Sequence, residues 1–176
     1  MDFFTADLHG GHANIIKFCG RPFDNVKEMD EALIANWNAR VSDKDTVYHL
    51  GDFCFGDPQR YIERLKGTIV FVKGSHDREL EKAGLAKHEI LDLSFQVAGR
   101  PQSIVLCHYC LRVWPKSHYG AWHLYGHSHG RLEPEGKSWD AGVDVNGFRP
   151  LSLDEVVAIM ATRPDNFNLI RESRTR

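Results

Sequence analysis

Short groups of His, Asp and Gly punctuate this 176-residue chain, each at or just after an apolar run. In order they are Asp7-Leu8-His9, Gly51-Asp52, Gly74-Ser75-His76-Asp77, His108 and Gly126-His127-Ser128-His129. Residues 3–6, 46–50, 68–72 and 122–125 read as short buried strands, so the polar groups fall at strand ends. Clustered strand ends are where an α/β fold assembles a site. Imidazole nitrogen and carboxylate oxygen are ligands for divalent transition metals. The pattern demands a fold that gathers separated strand ends, and it predicts a metal centre where they meet.

The intervening segments supply the layers. Met29, Leu33, Trp37 and Val41 recur at steps of four, with acids early and Arg40 late, which predicts a helix over 27–41. Asp57-Pro58 opens a second helix reaching about Lys66, and a shorter one is expected over 78–86. Residues 88–98 and 102–106 read as consecutive strands joined by a Gly99-Arg100-Pro101 turn. A further strand is expected over 138–145, a closing helix over 153–161, and a polar, frayed tail over 171–176. Strand and helix alternate in the first half, whereas strands follow one another in the second. The predicted class is α/β with α+β layering: a two-sheet β-sandwich core flanked by helices, as one domain over 1–176 without a cap domain.

Composition narrows the function. A net charge of −2 gives no bulk attraction to nucleic acid. No run approaches the roughly 18 apolar residues of a membrane span. No basic segment precedes Asp2-Phe3-Phe4, so no signal peptide is expected and the cytoplasm is the predicted compartment. Cys19, Cys54, Cys107 and Cys110 then read as reduced thiols, and Cys107-x-x-Cys110 lacks the second pair of a structural zinc site.

In a two-metal hydrolytic site, ions about 3.5–4 Å apart clamp both the nucleophile and the phosphoryl oxygens. Asp7-x-His9 and His127-x-His129 would each present two side chains on one side of an extended segment. Asp52 follows a glycine that allows a sharp turn.

The order D-x-H, G-D, G-N-H-D, H, G-H-x-H is the signature of the calcineurin-like metallophosphoesterases, which this chain resembles over residues 7–129. The stretches around His12-Ala13-Asn14, Tyr48-His49-Leu50-Gly51-Asp52 and Trp122-His123-Leu124-Tyr125-Gly126-His127 are similar to the small, single-domain bacterial and phage-type members. The resemblance implies two divalent ions, with Mn2+ first in expectation and Fe, Zn or Ni as alternatives. By it, Asp7, His9 and His129 would hold the first ion, and Asp52 would bridge. His108 and His127 would hold the second, with the residue at position 75. His76 would serve the scissile phosphate, Asp77 would orient His76, and a metal-bridging hydroxide would be the nucleophile. Ser75 departs from the pattern, which has Asn there, and predicts a weaker second site. Natural variation, an attenuated member and a deliberate substitution all fit that change.

Other residues carry two readings each. His12 is either a substrate contact or the start of a helix, and Arg21, Lys73 and Arg78 are candidate phosphate ligands near the motif loops. His88, His118 and His123 read as surface or satisfied core groups, and His49 as packed behind the site. Trp114, Tyr119, Trp122 and Tyr125 read as core before they read as a base-stacking surface. The expected activity is metal-dependent hydrolysis of phosphate esters, diesters before monoesters. The expected substrates include nucleotides and nucleic-acid ends, and no membrane or obligate protein partner is read. The alternatives are a catalytically attenuated scaffold on the same fold, and a phosphomonoesterase or nuclease with the same site.

Overall fold

Alternation along the strands sets the layering of the molecule, a computed structural model that describes residues 1–170. The strands in chain order are β1 (Asp2–Thr5), β2 (Thr46–His49), β3 (Thr68–Phe71), β4 (Ile90–Val97), β5 (Arg100–Cys107), β6 (Trp122–Tyr125), β7 (Ser138–Asp140) and β8 (Leu151–Ser152). The helices are α1 (Ala13–Cys19), α2 (Val26–Asn38), α3 (Gln59–Ile62), α4 (Arg78–Lys82) and α5 (Leu153–Thr162), with a 3-10 turn at Ser117–Tyr119. One sheet has the order β3-β2-β1-β8 and the other β4-β5-β6-β7.

Neighbouring residues on a strand point to opposite faces. On β1 and β2, Phe3 and Val47 face a core shared with Met29, Leu33 and Trp37 of α2. Phe4 and Tyr48 face the other way, into a core shared with Phe95, Ile104, Leu106 and Leu124 of the second sheet. Phe4 meets Phe95 edge-on with ring centroids 5.5 Å apart. Val156 and Met160 of α5 close the same inter-sheet core. The expected two-sheet sandwich flanked by helices is thus observed.

Strand direction positions the site. β1, β2 and β3 are mutually parallel, as are β5, β6 and β7, so their carboxyl ends lie together within each sheet. A parallel bridge between Ala6 and Gly142 ties the end of β1 to the segment after β7 and joins the two sheets there. Beyond the strands proper, the backbone pairing between the β1 and β2 exits continues. Asp7 donates to the Gly51 carbonyl at 3.0 Å, and His9 to that of Asp52 at 3.0 Å.

Several expectations change in extent. The helix after Pro58 is one turn only, and the strand expected over 138–145 stops at Asp140 because Asn146 and Gly142 turn the chain. The β4–β5 turn is made by Ala98 and Gly99, both at positive φ, while Arg100 and Pro101 belong to the strand. Pro101 fits there because β5 meets β6 only from Ile104 onward. The expectation for the 171–176 tail lies outside the described residues.

The start of α5 is fixed by a capping box in which Ser152 Oγ accepts from Glu155 N and the Glu155 carboxylate accepts from Ser152 N. Replacing Ser152 with Ala should lower unfolding free energy by about 1 kcal/mol in urea titration, with an unchanged m-value.

Candidate metal centre

Six side chains converge at the carboxyl ends of the strands. Ligand atoms of Asp7, His9 and His129 lie within 4.8 Å of one another, and so do those of Asp52, His108 and His127. Asp52 links the groups, since its Oδ2 lies 3.6 Å from His9 Nε2 and 3.5 Å from His108 Nε2. Two ligands bound at about 2.1 Å to one tetrahedral ion are separated by about 3.4 Å, so these spacings suit shared coordination.

The atoms that face inward lack partners. Asp7 Oδ1, His9 Nε2 and His108 Nε2 are buried without a hydrogen bond. His108 Nδ1 is 2.8 Å from the Leu50 carbonyl, which fixes a proton on Nδ1 and turns Nε2 towards Asp52. Burial lowers the ring, but Asp52 and Asp7 outweigh it and raise it, so an ion bound at Nε2 would have to displace a proton. Burial lowers His9 to about 3, so it is neutral at pH 7, as a ligand must be. Burial drives the Asp7 carboxyl the other way, up to about 7. At Asp52 burial is outweighed by His108, the His76 N–H and His9, which hold the carboxyl well below the ordinary carboxylate range. This donor set fits divalent cations.

Asp7, His9, Asp52, His127 and His129 all have φ between 47° and 66°. These are left-handed conformations, not the extended pairs expected from the x-spacing. Buried carboxylates hold the loops in that shape. Asp77 accepts from the N–H groups of Asp52, Phe53 and Gly74 at 2.7–2.9 Å. Asp140 accepts from Ser128 Oγ at 2.6 Å, Gly130 N at 3.0 Å and Gly142 N at 2.7 Å. Asp77 was expected to orient the His76 ring; it locks the β2 and β3 exits together instead. Glycine is required where these exits touch, because a Cβ on Gly74 would sit 2.2 Å from Asp52 N.

Ser75 and His76 are exposed at the mouth. Ser75 Oγ lies 3.1 Å from Asp52 Oδ2, beside the second triad, and the His76 N–H is held by Asp52 Oδ1 at 2.8 Å. His12 starts α1 without a side-chain capping bond, and its ring stacks on Phe55. Arg78 is exposed in the first turn of α4, and Lys73 is paired with Glu81 at 3.1 Å.

Arg21 corrects the sequence expectation. It is 4% exposed and turned inward, donating to the carbonyls of Asp7 and Leu8 at 2.7 and 3.0 Å and pairing with both oxygens of Asp144. Asp144 Oδ2 lies 2.7 Å from His129 Nδ1, so Arg21 and Asp144 together set the His129 ring. Burial raises the Asp144 carboxyl, but His129 and Arg21 outweigh it and hold it below its ordinary value. Asp144 and Asp140 were not foreseen; an acidic pair at the end of the next strand after the last histidines was the available signal. His49 packs between Phe53 and Phe71 and His123 is satisfied by Val105 and Leu111, so both are core groups. Trp114 and Tyr125 are buried, whereas Tyr119 is exposed away from any core.

Over 170 aligned residues the chain is 35% identical to the uncharacterized protein MJ1445 of Methanocaldococcus jannaschii, spanning 90% of each. The chain belongs to the same family as that archaeal protein. No family model matches the sequence. Among solved structures, the Aquifex aeolicus protein of unknown function AQ665 superposes with a TM-score of 0.66 at 24% identity, over 90% of this chain and 98% of that one. That likeness establishes a shared fold. The Escherichia coli phosphoesterase YfcE covers 80% of this chain and 77% of its own at 22% identity, with a TM-score of 0.38.

Two measurements follow from this geometry. The folded pKa of Asp7 is raised above its ordinary value of 3.8. The stability carried by its protonated form is therefore present below that value and lost as pH rises towards about 7. Asp7→Asn should therefore stabilise the chelator-treated protein, by up to about 4 kcal/mol above pH 7 and by little near pH 4; urea titrations across that range give the difference. Asp144→Asn should loosen metal binding by about 10- to 100-fold, read by competition with a chelating dye.

Proposed function

We propose that this chain is a metal-dependent phosphoesterase that favours diesters. The observation carrying that reading is Asp52, whose Oδ2 stands between His9 and His108 and joins the two ligand groups. The order of the five motifs, with its resemblance to calcineurin-like metallophosphoesterases, supports it. Asp7, His9 and His129 would hold one ion and His108 and His127 the other, with Asp52 shared. Bound there, divalent ions, Mn2+ first, would make water nucleophilic at neutral pH and neutralise phosphoryl charge.

The protein's own groups then divide the work. His76, exposed at the mouth and anchored through its N–H, donates a hydrogen bond to a phosphoryl oxygen or a proton to the leaving oxygen. Arg78, two residues on and also exposed, would meet the ester from the solvent side. Ser75, His76 and His127 all reach solvent, so the site opens onto the surface and admits a phosphate with two substituents. Ser75 offers a short hydroxyl where a longer amide would reach further, and the second ion is therefore held more weakly than the first.

The test is hydrolysis of bis-p-nitrophenyl phosphate with Mn2+ added after chelator treatment. Wild type should turn over, Asp52→Asn should lose activity by at least about a thousandfold, and Ser75→Asn should saturate at lower Mn2+. Measured metal binding with no hydrolysis of either diester or monoester would leave the attenuated scaffold as the better reading.

A further inference from the structure

Several exposed aromatic rings stand beside the candidate metal centre: Phe55 and Phe18 on the His9 side, and Tyr109 against His108 and His127. Trp37, Phe4, Phe53 and Tyr125 are fully buried, whereas Phe55 is 39% exposed and Phe18 63% exposed. His12 links the two. Its ring stacks on Phe55 at 4.1 Å and 25°, and stands edge-on to Phe18 at 6.4 Å. Phe55 also lies 5.4 Å from the His76 ring and 6.2 Å from the His9 ring. A row of rings therefore runs from the surface to the group placed at the phosphate.

The Phe55 backbone is tied down, its N–H donating to the Gly10 carbonyl at 2.8 Å. The exposed ring is thus carried on a segment of the β2 exit whose backbone is held to the β1 exit. Exposed apolar surface next to a few convergent polar groups is the composition of a ligand wall. Aromatic rings in such a position bind planar groups by stacking, and every nucleobase offers a face for it. The row begins with Phe55, whose ring lies 5.4 Å from that of His76.

We infer that Phe55, backed by His12 and extended by Phe18, stacks the nucleobase of a nucleotide-like phosphate ester and so sets the substrate preference of this site. The inference rests on the proposed phosphoesterase reading for the place of the phosphate. Phe55 is here a specificity residue, and it takes no part in proton transfer.

Calorimetric titration of the full chain in Mn2+ buffer with AMP, ribose 5-phosphate and inorganic phosphate isolates the base, because the first two ligands differ only by it. Wild type should bind AMP at least about fivefold more tightly than ribose 5-phosphate. Phe55→Ala should bring that ratio close to one while leaving phosphate affinity unchanged, and Phe55→Trp should keep it. Equal binding of AMP and ribose 5-phosphate by wild type would overturn the inference. So would a ratio that survives Phe55→Ala, or one that collapses only in Tyr109→Ala on the opposite wall beside His127. A Phe55-dependent AMP preference without hydrolysis of any phosphate ester would sink the phosphoesterase reading and keep the ledge. Hydrolysis with a base-blind site would do the reverse, and failure of all three anions to bind would remove both.

Discussion

Buried carboxylates that accept backbone N–H groups are the interaction on which this site depends. Non-glycine residues in the left-handed region are held there at a cost of order 1 kcal/mol or more, and five of the candidate ligands adopt it. Asp77 and Asp140 offset that cost by each receiving three hydrogen bonds from the loops that carry the ligands. Asp7 and Asp52 use the same device with half of each carboxylate. Asp7 Oδ2 takes the His127 N–H at 2.8 Å and Asp52 Oδ1 takes the His76 N–H at 2.8 Å, leaving the other oxygens to face the centre. One oxygen fixes a loop while the other serves as a ligand atom.

This sharing couples the two ligand groups mechanically. Asp7 belongs to the first group, yet it holds the backbone of His127 in the second. Asp52 stands between both and also anchors the loop of His76. Arg21 adds a third tie, since its guanidinium donates to the carbonyls of Asp7 and Leu8 and, through Nε and Nη2, to Asp144. Displacing any one loop therefore moves atoms in both groups, and the centre is best regarded as one rigid unit.

Much of this was legible in the sequence, for a physical reason. Short apolar runs ending in His or Asp state both the strand and its functional end, so the sandwich and the six converging side chains could be read from residue type and order. Backbone shape could not. The x-spacing of Asp7 and His9 suggested an extended pair, and nothing in two residues reveals a left-handed turn stabilised from Gly51 and Asp52. Arg21 misled for a related reason: its partner Asp144 is 123 residues away, and a cation near a motif reads as a phosphate ligand until the partner is seen. Pro101 was read with Gly99 and Arg100 as turn punctuation, and sequence alone does not show that β5 outruns β6 there and so tolerates a proline.

The fate of Arg21 also bears on how the proposed site would hold an anion. His9 is neutral at pH 7, and the Arg21 charge is matched by Asp144 at 2.8 Å. Of the other inward-facing groups, the Asp52 carboxyl stays ionised and repels a phosphate ester, and burial pushes Asp7 up to about 7. His108 and His129, raised against burial by the facing carboxylates, are matched by Asp52 and Asp144. Lys73 is turned to Glu81, and Arg78 stands out at the rim. On the proposed reading, the protein's own cations at the centre are matched by carboxylates, and the net positive potential for a phosphate comes with the divalent ions. Ions and phosphate must then favour each other's binding, by the same factor in each direction. Because Ser75 contributes only a hydroxyl near the second group, the second ion is the one whose occupancy should depend most on the substrate.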